Sequence, residues 1–190
     1  MKIHDIEADL DVDRGVFSAR RIDPGTALLL EAGVSSPSER GLQGHLLDLG
    51  CGYGPIALAV AVRNPQATVW ALDINRRALD LVAANATKLG LSNLRPVTAD
   101  QLPGDIRFTR IWSNPPIRIG KTALQNLLLT WLGRLAPGGA ARLVVARNLG
   151  ADSLSVWLES VGMAVTRCAS KRGYRILEVE IRPEANRRQP

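Results

Sequence analysis

The sequence alternates short apolar runs with stretches of helical periodicity, and this alternation restricts its fold more than any other feature. The apolar runs predict strands at Leu46–Leu49, Thr68–Leu72, Leu94–Thr98, Phe108–Trp112, Ala141–Ala146, Ala164–Cys168 and Ile176–Ile181. The periodic stretches predict helices at Pro55–Arg63, Arg76–Leu89, Thr122–Leu135 and Ser153–Ser160. Strands that are separated by helices pair in parallel, and the helices cover both faces of the sheet.

The last two predicted strands follow a different rule. Only Ala169–Arg175 separates them, which is too short for a helical crossover, so they should pair antiparallel. The sequence therefore predicts a Rossmann-like, doubly wound α/β fold, whose seven-stranded sheet is mostly parallel with an antiparallel last strand. A chain of 190 residues can bury one core, so we expect a single domain over residues 1–183 and a frayed tail over residues 184–190.

Composition predicts a cytoplasmic protein without a membrane span. The chain is 46% hydrophobic and 22% charged, and its longest apolar runs, such as Leu127–Leu132, are far shorter than a bilayer is thick. The start of the chain, Met1–Leu10, lacks the basic and then apolar pattern of a signal peptide. Two cysteines, Cys51 and Cys168, lie far apart and have no metal-ligand spacing, so we expect neither a disulfide framework nor a metal.

Charge is distributed unevenly along the chain. The first hundred residues contain 10 Lys and Arg against 12 Asp and Glu, and the remaining ninety contain 14 against 6. A basic half favours a polyanionic partner such as RNA. The alternative is a solvated surface, because 20 of the 24 basic residues are Arg, as a GC-rich coding sequence would produce.

Polar and glycine residues follow four successive predicted strands at the points where these strands end. A glycine-rich turn follows the first strand, Asp73 ends the second, Asp100 follows the third and Asn114 ends the fourth. In a doubly wound sheet, ligands bind at the carboxyl ends of the strands near the point where the strand order reverses. We therefore expect these residues to border one site.

The turn Gly50-Cys51-Gly52-Tyr53-Gly54 is suited to a close approach between backbone and ligand. Its three glycines allow a sharp bend and present no Cβ to a ligand. The dinucleotide fingerprint needs a glycine at the sixth position, where this chain has Pro55, so a nicotinamide enzyme is disfavoured. We interpret Cys51 as a small filler of the turn and not as a nucleophile.

Three acidic residues around this turn are candidates for holding a nucleoside. Asp48 could bind the amino-acid end of a ligand, directly or through water, or it could cap the following loop. Asp73 can accept hydrogen bonds from both ribose hydroxyls, which is compatible with capping a helix that starts near Asn75. Ile74 would pack on the adenine, and Asp100 would accept from the adenine amino group, although aspartates are common in loops.

The segment Asn114-Pro115-Pro116 is the sharpest signal in the chain. Two prolines stiffen the loop after a buried strand and fix the direction of the Asn114 side chain. The lone pair of an exocyclic amine is delocalised into its ring. An amide oxygen and a proline carbonyl that accept its two hydrogens would aim this lone pair at a methyl group. The alternative, a plain Pro-Pro turn, does not explain the Asn.

Two segments resemble motifs of class I S-adenosylmethionine-dependent methyltransferases. Motif I is similar to Leu47-Asp48-Leu49-Gly50-Cys51-Gly52-Tyr53-Gly54-Pro55, and motif IV for amino-nitrogen substrates is similar to Asn114-Pro115-Pro116. The chain further resembles one subfamily, the small-subunit ribosomal RNA guanine-N2 methyltransferase C type in its short single-domain form. The segments that carry this resemblance are Gly15-Val16-Phe17-Ser18, Asp23-Pro24-Gly25-Thr26, Tyr53-Gly54-Pro55-Ile56 and Asn114-Pro115-Pro116-Ile117-Arg118-Ile119-Gly120-Lys121. The resemblance runs from about Gly15 to Ile181.

This resemblance implies methyl transfer from S-adenosyl-L-methionine to the N2 amine of a guanine in ribosomal RNA, either free or within a ribosomal subunit. It implies catalytic roles for Asn114, Pro115 and Pro116. The residues that it implies at the cofactor are Asp48, Gly50, Cys51, Gly52, Gly54, Asp73, Ile74, Asp100 and Asn114.

The resemblance also implies residues that contact the substrate. Many members place an aromatic residue after the two prolines to stack on the target base, where this chain has Ile117. Phe17 lies in the N-terminal extension, residues 1–40, which the subfamily folds over the site; it could lend an aromatic face or belong to the core. Arg118 and Lys121 are expected to bind phosphates on either side of a flipped base, the alternative being ordinary surface charge.

Two other functions remain open at this stage. One is a methyltransferase of the same fold that acts on a small molecule, a protein glutamine or a DNA adenine. The other is a catalytically silent RNA-binding module. The intact glycine turn, Asp73 and Asn114-Pro115-Pro116 argue against the silent module, because a degenerate copy has no reason to retain all three.

Overall fold

The computed structural model describes residues 2–3, 6–7, 10–12 and 22–182. Besides a two-stranded antiparallel ribbon of Lys2–Ile3 and Ile6–Glu7, the described chain forms one seven-stranded sheet. Its strands are β1 His45–Leu49, β2 Thr68–Leu72, β3 Leu94–Val97, β4 Phe108–Ser113, β5 Leu135–Ala146, β6 Met163–Lys171 and β7 Tyr174–Ile181. The α-helices are α1 Pro24–Leu28, α2 Pro55–Arg63, α3 Arg76–Lys88, α4 Lys121–Leu132 and α5 Ala151–Ser160.

The strand order is β3-β2-β1-β4-β5-β7-β6. The pairs from β3 to β5 are parallel, and β7 inserts antiparallel between β5 and β6. The predicted seven-stranded, mostly parallel sheet with an antiparallel last strand is thus confirmed. Because β1 pairs with β2 on one side and β4 on the other, the order reverses at β1.

Two apolar clusters cover the two faces of this sheet. One face packs against α2 and α3 through side chains that include Leu58, Val60 and Val82. The opposite face packs against α4 and α5 through side chains that include Leu128 and Leu158. The chain that leaves β1 and the chain that leaves β4 therefore cover opposite faces, which leaves a crevice at the carboxyl edge between them.

The stretch before β5 differs from its prediction. Helix α4 ends at Leu132, and β5 starts at Leu135 and continues through the Pro-Gly-Gly stretch that was predicted to lie outside a strand. A bulge accommodates these residues, because Phe108 pairs with Leu135 whereas Arg110 pairs with Ala140. The backbone approaches closely here, since a Cβ on Gly139 would lie 2.7 Å from the carbonyl oxygen of Phe108.

An N-terminal helical segment, α1 with its π-helical continuation Leu29–Val34, was not predicted. It buries Leu29, Leu30 and Val34 against the α2 face of the sheet. The 3₁₀ turn that follows carries the fully buried Glu39, whose carboxylate lies 3.2 Å from a guanidinium nitrogen of Arg142 on β5. None of the helices among the described residues is long and apolar enough to cross a membrane.

Candidate active site

The glycine turn after β1 leaves open space above its backbone. Gly50 and Gly52 have φ angles of 74° and 55°, in the left-handed region that favours glycine. A Cβ on either residue would meet no described atom within 4 Å. Gly54 is different, because its Cβ would lie 2.8 Å from Val82 on α3. Two glycines therefore face open space, and the third lets α2 start close to α3.

Asp73 ties the glycine turn to the end of β2. Its Oδ2 accepts from the Gly52 N–H at 2.9 Å, and its Oδ1 accepts from the Asn75 N–H at 2.9 Å. The N-cap of α3 is Asn75 itself, whose side chain accepts from Arg77 N–H. The half-buried Asp73 therefore orients the turn, and each of its oxygens keeps a further lone pair for a ligand.

Asp48 has the capping contact that was the alternative to ligand binding. Its Oδ2 accepts from the Ala57 N–H at 2.9 Å in the first turn of α2, and its Oδ1 is buried with no partner among the described residues. Burial, and to a smaller extent the negative charge of Asp73, raise the pKa of Asp48 to about 8, although the bond from Ala57 opposes the shift.

Three other predicted residues at this edge differ in how far they are exposed to solvent. Cys51 is buried, and burial raises the pKa of its thiol well above the usual range, which supports its interpretation as a filler of the turn. Ile74 is 93% exposed, which is unusual for a large apolar side chain. Asp100 lies on an exposed 3₁₀ turn, where a hydrogen bond from the Thr98 side chain lowers its pKa.

Asn114 leaves the end of β4 with a fixed side-chain orientation. The preceding residue, Ser113, donates from Oγ to the Leu49 carbonyl at 2.8 Å and so links the ends of β4 and β1. Asn114 Nδ2 donates to Asp23 Oδ2 at 2.8 Å and to Thr26 Oγ1 at 3.0 Å. These two bonds use both amide hydrogens, so the amide oxygen is the atom left for a substrate.

The two prolines form a tight turn after Asn114. Pro115 is buried and its carbonyl accepts from Ile117 N–H at 2.8 Å, around a Pro116 with φ −74° and ψ 76°, which is an inverse γ-turn. The Pro116 carbonyl accepts from Ile119 N–H at 3.1 Å. A carbonyl has two lone pairs, so each retains one acceptor position for an incoming amine.

The predicted substrate residues fall into three groups. Ile117 is half-buried and packs on the α4 face of the core. Arg118 and Lys121 are exposed, and neither side chain bonds to a described residue, so both cations are accessible to a phosphate. Phe17 lies outside the described residues.

Two residues that contact Asn114, Asp23 and Thr26, were not predicted as site residues. Both belong to Asp23-Pro24-Gly25-Thr26, which resembles the subfamily and also has the Asp-Pro pattern of a helix start, with Asp23 as the N-cap of α1 and Pro24 as its first residue. That signal predicts a helix start but not its contact with Asn114. Among the residues that the structure covers, no group of three or more His, Cys, Asp or Glu side chains could hold a metal ion.

The raised pKa of Asp48 predicts a pH-dependent stability. An unfolded carboxyl ionises near pH 4, whereas the folded one ionises at about 8, so the folded state retains a proton between these values. The free energy of unfolding should therefore fall as pH rises from about 4 to 8. Asp48→Asn, which keeps the acceptor for Ala57, should remove this loss. Its gain over wild type in urea titrations should be small at pH 4 and largest at pH 8.

The control for that series is Asp80→Asn, on the exposed face of α3. It should change stability little at any pH. A difference between Asp48→Asn and wild type that stays constant from pH 4 to pH 8 would contradict a buried, neutral carboxyl.

Comparison with known proteins shows which family the chain belongs to. The profile of the family described as methyltransferase small domain matches residues 7–178. The protein YbxB of Bacillus subtilis is 33% identical over 171 residues, which cover 88% of this chain and 83% of YbxB. The ribosomal RNA small subunit methyltransferase C of Pseudomonas putida is 36% identical over 173 residues, covering 86% of this chain but 48% of that protein.

A solved structure agrees with these relatives. The T. thermophilus 16S rRNA N2 methyltransferase, in complex with AdoMet and guanosine, matches with a TM-score of 0.71 and 27% identity over 88% of this chain and 46% of its own. This chain thus spans about half the length of the methyltransferase C relatives. The predicted S-adenosylmethionine-dependent methyltransferase class is confirmed, and the chain belongs to the methyltransferase small domain family.

Proposed function

We propose that this protein methylates the exocyclic N2 amine of a guanine in ribosomal RNA, with S-adenosyl-L-methionine as methyl donor. The observation that carries the proposal is the Asn114 amide, whose hydrogens are both bonded and whose oxygen is left to accept from an amine. It lies at the same sheet edge as the glycine turn and Asp73.

The residues at this edge fit the cofactor. Open space above Gly50 and Gly52 would admit the amino-acid part of S-adenosylmethionine, and the buried, unpartnered Oδ1 of Asp48 offers a polar atom below it. Asp73 would hold the ribose hydroxyls, while the exposed Ile74 would cover the adenine and Asp100 would accept from its amino group.

The proposed reaction needs no strong general base from this chain. Bound S-adenosylmethionine supplies a methyl carbon on a positively charged sulfur. The amine nitrogen would bond to that carbon as the carbon–sulfur bond breaks, and the amine would then lose a proton to water. The Asn114 oxygen and a proline carbonyl orient the nitrogen lone pair and stabilise the positive charge that develops on the amine.

Several features support RNA as the substrate. Relatives are named as ribosomal RNA methyltransferases, and one neighbour was solved with guanosine. Beside the end of β5, a depression of about 310 Å³ is lined by Arg147 and Arg172, and neither side chain bonds to a described residue. Together with Arg118 and Lys121, these cations would meet a phosphate backbone. With ribosomal RNA as its substrate, the protein would work in the cytoplasm.

The first test concerns the ribose contact. Asp73→Ala removes a charged acceptor and should weaken binding of S-adenosylmethionine by about 1.5–3 kcal/mol, measured by titration calorimetry. Asp73→Asn keeps one acceptor for the Gly52 N–H and should lie between the alanine variant and wild type. Unchanged affinity in Asp73→Ala would mean that the ribose binds elsewhere.

A second test concerns the amine. Asn114→Ala should leave cofactor affinity nearly intact while methyl transfer falls by roughly two orders of magnitude, as expected for an oriented polar group in a transition state. The assay is transfer of labelled methyl to total RNA, free subunits and intact ribosomes, followed by nucleoside analysis. Wild-type turnover in Asn114→Ala would exclude the proposed role, and label in a nucleoside other than N2-methylguanosine would identify another target.

The third test separates RNA from a compact substrate. Binding to phosphates releases counterions, so affinity for a ribosomal RNA fragment should fall with salt at a log–log slope of about −0.7 per phosphate neutralised on single strands. Replacing Arg118 and Lys121 by Ala should make the slope shallower by about one to two units without changing cofactor affinity.

The matched control replaces two exposed arginines, Arg95 and Arg107, near the amino ends of β3 and β4. This pair lies at the opposite edge of the sheet and should change the slope less. A flat salt dependence together with turnover on a small molecule would overturn the RNA substrate and leave the enzyme class intact.

A further inference from the structure

We propose that Asp23 and Thr26 are positioning residues, which hold the Asn114 amide so that its oxygen faces the substrate amine. The inference rests on the proposed function of Asn114. It adds two side chains from the N-terminal helical segment to a site that is otherwise built at the carboxyl ends of the strands.

The chemistry of the partners fixes the orientation of the amide. An ionised carboxylate can only accept hydrogen bonds, so the atom of Asn114 that lies 2.8 Å from Asp23 must be the nitrogen. A flipped amide would lose the bond to Asp23 and would place its oxygen against a negatively charged oxygen. Asn114 therefore has one stable orientation, with its oxygen directed away from Asp23.

Asp23 is itself held in place before any substrate arrives. As the N-cap of α1, its Oδ2 also accepts from Gly25 N–H at 2.9 Å and from Thr26 N–H at 3.1 Å. The helix start is packed tightly, because a Cβ on Gly25 would lie 2.9 Å from the ring of Tyr174 on β7. Helix α1 and strand β7 thus determine where the Asp23 carboxylate lies.

The negative charge of Asp23 also acts on a residue of the glycine turn. Burial first, and the Asp23 carboxylate second, raise the pKa of Tyr53 in the glycine turn to about 12. The carboxylate that bonds Asn114 is therefore also close enough to the turn to act on Tyr53. A hydrogen bond to a charged acceptor also polarises the amide, which makes its oxygen a better acceptor for the substrate amine.

The decisive variants remove a partner of Asn114 and keep the local fold. Thr26→Val is nearly isosteric but has no hydroxyl, and Thr26→Ser restores the hydroxyl. Asp23→Ser retains an N-cap side chain but has no carboxylate to reach Asn114. Asp23→Ser and Thr26→Val should each lower kcat for methyl transfer to ribosomal RNA about ten- to a hundredfold, as a misplaced catalytic group does. The KM for S-adenosylmethionine should stay within about twofold, and Thr26→Ser should recover most of the activity.

A double-variant cycle tests whether both residues act through Asn114. In an Asn114→Ala background, Thr26→Val and Asp23→Ser should lower kcat no further, because the amide that they orient is gone. Independent losses that multiply would overturn the inference. The matched control is Thr109→Val at the start of β4, where the hydroxyl bonds to the Gln43 and His45 carbonyls; it should lower stability without this change in kcat.

A spectroscopic measurement tests the contact without turnover. The side-chain amide signal of Asn114 in ¹⁵N-labelled protein, identified by its loss in Asn114→Ala, should shift in Thr26→Val and return in Thr26→Ser. An unmoved signal would overturn the proposed contact. If instead Asn114→Ala keeps full turnover, the proposed function fails; if Asn114→Ala is inactive while Asp23→Ser and Thr26→Val are fully active, only this inference fails.

Discussion

The reversal of strand order at β1 is the constraint on which the rest of the site depends. Because β1 has β2 on one side and β4 on the other, α2 and α4 must cover opposite faces of the sheet. In the described part of the chain, neither of these two helices closes the carboxyl edge between them. The glycine turn leaves β1 at this edge, and Asn114 leaves β4 beside it, held by the bond from Ser113 to Leu49. The methyl donor and the acceptor amine that we propose would therefore meet at this edge.

The N-terminal helical segment completes this edge from the side. It is attached to the sheet by buried apolar side chains and by the ion pair between Glu39 and Arg142. The Arg142 guanidinium also contacts the Glu178 carboxylate and the Gly33 carbonyl. A buried carboxylate with two guanidinium neighbours, Arg142 and Arg110, is costly to break, because one unpaired charge would remain. This attachment is what places the start of α1 against Asn114.

The pKa values of two carboxyl groups near the proposed cofactor site are shifted in opposite directions by their surroundings. Asp48 is buried under the glycine turn, so its neutral form is favoured and it serves the backbone of α2. Asp100 is exposed and hydrogen-bonded, so its charged form is favoured. Burial of the first and solvation of the second follow from their places in the fold, one inside a central strand and the other on a turn after an outer strand.

The sequence by itself determined the sheet, the glycine turn and the residues that end the strands. Periodicity, glycine and proline act over a few residues, so a local pattern is enough to predict β1, β2, α2 and α3 to within a residue or two. The spacing of these elements also predicted that the turn, Asp73 and Asn114 would meet at one edge, since parallel strands end together.

Only the tertiary structure decided how the side chains at that edge are bonded. Asp23 and Asn114 are 91 residues apart, so no local pattern contains their contact or the amide orientation that follows from it. The same holds for the bulge of β5 at Gly139, which depends on the neighbouring Phe108 carbonyl, and for the hydrogen bond that Asp48 accepts from the Ala57 N–H. Each of these outcomes depends on which donor or acceptor the fold brings within about 3 Å, and that distance is set by packing across the whole domain.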